Sequence, residues 1–87
     1  MKLKPYLDAE GKGAATRLAT AIGAHAPDVS DWANGNRPIP PLRATAIEKA
    51  TKGKVMRWDC RPDDWHEHWP ELARKKSAPP VPQRVEV

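Results

Sequence analysis

The densest gathering of reactive side chains in these 87 residues is the run Asp63-Asp64-Trp65-His66-Glu67-His68-Trp69. Carboxylates and imidazoles so close together are the ligand types of a metal-dependent nuclease. Helical geometry argues against that chemistry. His66 and His68 stand two positions apart, about 200° around a helix, so they cannot chelate one ion from it. The same residues read better as a short helix. Trp65, Trp69 and Leu72 fall at i, i+4 and i+7 on one apolar face, and Pro62, Asp63 and Asp64 sit at its start, where acids suit the helix dipole. No metal, cofactor or enzymatic reaction is expected. Cys60, the single cysteine, can close no intrachain disulfide and cannot by itself form a structural zinc cluster.

A second set of residues has the chemistry of reading nucleic acid. Ser30, Asp31 and Asn34 lie on the side of a short helix opposite Val29 and Trp32, with His25 at its entry. They are the candidate base-edge contacts, because readout needs side chains that present donors and acceptors to the grooves. Asp31 repels phosphate but can accept from the N4 amino group of cytosine. Asn34 has two readings, a base contact or the cap that ends the helix before Gly35. His25 has two as well, a base contact or an ordinary exposed turn residue. Candidate phosphate contacts are Lys12, Thr16 and Arg17 around the start of the preceding helix, and Asn36, Arg37 and Arg43 in and after the following loop. Lys49, Lys52 and Lys54 read as the solvated end of a later helix.

Periodicity and punctuation supply the elements that must hold these groups. Leu3, Tyr6 and Leu7 predict a helix over about 3–9, stopped by Gly11. The alanine-rich stretch 14–22 predicts a second, with Leu18 and Ile22 one turn apart and Gly23 as its end. Pro27 suits the first turn of a third helix, which carries Val29 and Trp32 and stops at Asn34-Gly35. Pro38, Pro40 and Pro41 stiffen the connection to a fourth over about 41–51. There Leu42, Ala46, Ile47 and Ala50 fall within about 140° and form the expected core stripe. Arg43 sits near one edge of that stripe, its stem on the core and its head reaching outward. Residues 55–60 are too short and mixed to assign beyond an extended connector, and Trp58 stays open among a core position, a dimer contact and no special role. A fifth helix follows over about 63–72.

Residues 15–34 combine these elements in a recognisable way. Ala19 is small where two helices approach, Gly23 fits the bend four residues later, and Val29 and Trp32 can pack back on Leu18 and Ile22. This is the spacing of a DNA-binding helix-turn-helix, whose second helix enters the major groove. The chain also resembles the Cro-like, YdaS-type regulators of bacterial prophages, a family described as antitoxins. The segments that carry the resemblance are Ala14-Ala15-Thr16-Arg17-Leu18-Ala19, Val29 through Pro40, Ala46-Ile47-Glu48-Lys49-Ala50-Thr51, Arg61-Pro62-Asp63-Asp64-Trp65 and Trp69-Pro70-Glu71-Leu72. It implies an all-α, compact, five-helix, lambda-repressor-like domain that binds operator DNA, commonly as a dimer, and represses transcription. Asp31 departs from the pattern, since a neutral polar residue is more usual there.

Length and charge bound the rest. One domain is expected over 1–72, followed by a proline-rich basic tail over 73–87 that reads as disordered. The net charge of +4 is held by the first 54 residues, reduced by an acidic block over 55–70 and restored by the tail. No stretch approaches the roughly 20 apolar residues of a membrane span. The opening residues lack a secretory apolar run, so a cytoplasmic, nucleoid-associated protein is expected. The leading expectation is a repressor bound as a homodimer to a two-fold, double-stranded operator, with the tryptophan-rich 55–72 region as its dimer surface. The alternative is an antitoxin-like module that neutralises a toxin protein partner through the acidic block and the tail.

Overall fold

Glycine and proline punctuation sets where each helix starts and stops. The structure, a computed structural model, describes residues 1–81. Four helices come first: α1 (Leu3–Glu10), α2 (Ala14–Ile22), α3 (Ala26–Ala33) and α4 (Pro41–Ala50). Two single-turn helices follow, α5 (Arg57–Cys60) and α6 (Trp65–His68), and then a 3₁₀ turn, Pro70–Arg74. The described residues contain no strand, so the expected all-α class is observed.

The bend between α2 and α3 is a backbone device. Ala24 N–H donates to the Ala19 carbonyl at 2.9 Å and Gly23 N–H to the Thr20 carbonyl at 3.4 Å. Gly23 between them has φ +72°. That paired pattern needs a left-handed residue after the helix, which is why glycine stands there. α2 then packs against α1, α3 and α4. Leu3, Leu18, Ala19, Val29, Ile39, Ala44, Ile47, Val55 and Cys60 form the shared core, with Ile22 and Trp32 half-buried against it.

Three features depart from the sequence expectation. Residues 57–60 are a helical turn rather than an extended connector, started by the Asp59 carboxylate, which accepts the Met56 N–H at 2.9 Å. Trp58, carried by that turn, meets the Trp65 ring edge-on with centroids 5.9 Å apart. Trp65 itself is only 1 % exposed. The expected helix over 63–72 is broken in two, because Pro70 lacks an N–H and restrains the residue before it.

The face of α4 is also rotated. Ala44, Ile47 and the following Thr51 are buried, whereas Leu42 is 83 % exposed and Ala50 is exposed. Thr51 is the reason. Its hydroxyl accepts the Val55 N–H at 3.1 Å, so a polar residue occupies the core side of the helix. A stripe fitted to apolar residues alone turns away from it. Beyond the 3₁₀ turn, Ser77, Pro79 and Pro80 line a groove of about 290 Å³ with Lys2, Trp58 and Trp65. Residues 82–87 of the expected tail lie outside the described residues.

Candidate nucleic-acid interface

α3 presents two unlike faces. Val29 is fully buried and Trp32 packs partly against the core, while Ser30 and Asn34 are exposed on the other side and Asp31 is half-exposed. His25 is exposed at the N-cap, and its side chain makes no capping bond. The stop of α3 uses the backbone: Asn36 N–H donates to the Asp31 carbonyl at 2.9 Å and Gly35 N–H to the Trp32 carbonyl at 3.3 Å. Gly35, at φ +77°, takes the left-handed position, so the Asn34 amide is not needed to end the helix.

This turn folds the chain back over the acids of α3. Arg37 Nη1 stands 3.4 Å from Asp28 Oδ1, and its Nε stands 3.7 Å from Asp31 Oδ2. All three side chains face solvent, Arg37 most of all. The other expected phosphate-contacting arginines also have work inside the fold. Arg17 donates to the carbonyls of Lys12 at 2.9 Å and Glu10 at 3.1 Å, bracing the loop before α2. Arg43 Nη1 donates to the Ile22 carbonyl at 2.8 Å. Its head, expected to reach outward, turns to the end of α2. A guanidinium has five N–H donors, so both retain donors beyond these bonds. Lys12, Thr16 and Asn36 are exposed. The six candidate phosphate contacts lie on α2 with its preceding loop (Lys12, Thr16, Arg17), on the α3–α4 segment (Asn36, Arg37) and on α4 (Arg43).

A family model described as "Bacterial toxin YdaS" matches residues 8–68, from the end of α1 through α6. The chain belongs to the YdaS family. It is 41 % identical over 54 residues to a protein of Escherichia coli (strain K12) named "Putative transcriptional regulator YdaS". That match covers 61 % of this chain and 55 % of the relative, so the chain spans about half the length of the curated relative it matches. The two names differ in kind, one a toxin and the other a regulator of transcription, where the resemblance in the sequence implied an antitoxin.

In this YdaS-family chain the acid-rich segment 63–68 is drawn into the framework. Arg61 donates from Nε and Nη2 to the two carboxylate oxygens of Asp64, at 2.9 and 2.7 Å, and from Nη1 to the Ile39 carbonyl. The guanidinium thus pins the α3–α4 segment to the start of α6. Its hydrogen bonds hold the Asp64 carboxyl below the usual carboxylate range against the opposing effect of burial, and His68 Nε2, 3.2 Å away, adds to the lowering. Among the described residues no three His, Cys, Asp or Glu side chains gather as a metal site. The only sequence signal for the clamp is the i, i+3 spacing of Arg61 and Asp64.

The sequence reading also passed over Lys2 and Lys4. They line a groove of about 630 Å³ with Trp32, Arg37, Pro38 and Arg61, beside the end of α3.

Proposed function

We propose that this YdaS-family chain is a DNA-binding regulator of transcription that acts as a homodimer on a two-fold operator, performs no chemistry and works in the cytoplasm on the nucleoid. The observation that carries the reading is the two-faced α3, held by a glycine bend against α2 with Val29 buried and Ser30 and Asn34 facing outward. The name of the Escherichia coli relative supports it. In this reading α3 enters the major groove, where His25, Ser30, Asp31 and Asn34 meet base edges. Lys12, Thr16, Arg17, Asn36 and Arg43 lie along the flanking backbone. Repression follows from occupying the operator and blocking polymerase. Two half-sites about one helical turn apart require two copies of α3, hence the dimer.

Selection of bound DNA from a random pool, repeated at several salt concentrations, tests this. A palindromic consensus with steep salt dependence is the expected result. Salt-dependent binding without a consensus, or no binding, would overturn it. Among the described residues no helix is long and apolar enough to cross a membrane.

In a second reading, with which the family model's name is compatible, the chain is an antitoxin-like module that neutralises a toxin partner, and the acidic 55–70 block and the tail make the protein contact. Co-expression with a neighbouring toxin-like reading frame separates the two: relief of toxicity by a chain carrying alanine at Ser30 and Asn34 would favour protein contact over DNA readout.

A further inference from the structure

Among the charged groups of α3, two facts are in tension. The helix that faces the groove carries Asp28 and Asp31 and no basic residue, yet a groove-binding helix sits between two rows of phosphates. Two uncompensated carboxylates there would repel the partner they are meant to approach. Arg37 stands at both of them, with Nη1 toward Asp28 and Nε toward Asp31.

We propose that Arg37 is a positioning residue for α3: its single positive charge offsets part of the Asp28 and Asp31 charge and holds the Asp31 carboxylate as a base-edge acceptor, instead of contacting phosphate itself. This rests on the DNA-binding reading of α3. The backbone arrangement supports it. Asn36 and Arg37 N–H groups both donate to the Asp31 carbonyl, at 2.9 and 3.4 Å, so the turn after Gly35 delivers the Arg37 side chain to the same helix face that bears the acids. The two contacts come from different nitrogens of one planar guanidinium, a geometry that a lysine ammonium on a single point cannot reproduce. One oxygen of each carboxylate is engaged in these pairs, Oδ1 of Asp28 and Oδ2 of Asp31. The second Asp31 oxygen is left to accept from an exocyclic amino group such as cytosine N4.

The two roles for Arg37 predict different double-mutant cycles. If it screens the acids, Arg37→Ala weakens specific binding about tenfold in the otherwise native chain. In an Asp28→Asn/Asp31→Asn background, where there is nothing to screen, the same change costs less than about twofold. If it contacts phosphate, the loss is equal in both backgrounds, and the salt slope falls by about one in the neutral background. Equal losses or that drop in slope would overturn the proposal.

Arg37 is 64 % exposed, and its removal should leave the thermal unfolding curve unchanged, so lost binding is not lost folding. A readout without DNA keeps the two levels apart. The Arg37 Nε–H resonance of the free chain should shift in Asp31→Asn, and an unmoved resonance would refute the pairing itself. A moved resonance in a chain that selects no DNA would instead sink the DNA-binding reading while leaving the ion pairs standing.

Discussion

Arg43 of α4 donates to the carbonyl of Ile22, the last residue of α2, across 2.8 Å. The bond falls at the point where the chain leaves α2 and bends toward α3. The last carbonyls of a helix have no partner within it, and they carry the negative end of the helix dipole. A guanidinium on one of them satisfies both demands. It also makes α4 a party to the orientation of α3, since the bend that aims α3 is held from outside the two-helix unit.

Removing that guanidinium while keeping its aliphatic stem should therefore loosen the bend. Arg43→Met is expected to cost about 1.5–3 kcal/mol, the range for a hydrogen bond to a charged group. The measurement is urea unfolding followed by tryptophan fluorescence, read as a lower midpoint with an unchanged slope. Arg43→Lys should recover part of the loss, because an ammonium keeps the charge near the helix end without the planar fork. A midpoint equal to that of the native chain would mean the Ile22 carbonyl is as well served by water.

Gly35 should be irreplaceable for its backbone rather than for space. A Cβ built there meets nothing within 4 Å, yet φ is +77°. Gly35→Ala is expected to cost about 1–2 kcal/mol, the penalty for an L-residue held in the left-handed region. Gly35→Asn should cost less, since asparagine tolerates that conformation. Thermal melts of the two variants check the order. An alanine variant as stable as the native chain would show that the turn opens without harm to the end of α3.

The ends of α1, α2 and α3 and the start of α4 were legible in the sequence because Gly11, Gly23 and Gly35 accept a left-handed backbone that other residues avoid, and Pro41 fixes its own φ. The buried face of α3 was legible for a related reason: Val29 and Trp32 are large, apolar and correctly spaced. Charges were not. Arg17, Arg37 and Arg43 read in one dimension as phosphate contacts and Arg61 had no role, and in the fold each reaches a carbonyl or a carboxylate. Sequence spacing does not reveal such partners, as Arg43 and Ile22 are 21 positions apart.

The face of α4 was misplaced for the reason Thr51 gives, and it yields a paired prediction. Leu42→Gln should alter stability by no more than about 0.5 kcal/mol, as for an ordinary surface change. Ala44→Leu, at a position with no exposure, should cost about 1–3 kcal/mol through overpacking. Were Leu42 the core residue its apolar character implies, Leu42→Gln would be the more damaging of the two. Denaturation midpoints of both variants decide it.

Asp64 makes stability depend on acid in a definite direction. Arg61 holds its carboxyl below the ordinary range, so the folded pKa lies under the unfolded one. Such a group contributes fully above the unfolded carboxylate value, about 3.9, and its contribution is lost as pH falls through the lower folded value. Asp64→Asn replaces the carboxylate by a neutral group of nearly the same shape. The native chain should therefore melt higher than the variant at about pH 5, and the gap should close as the pH drops below about 4. The closing follows because a protonated Asp64 and an asparagine offer Arg61 much the same partner. Melts across that range test it, and a gap that persists undiminished at pH 2 would show that the Arg61 fork depends on shape rather than on the carboxylate charge.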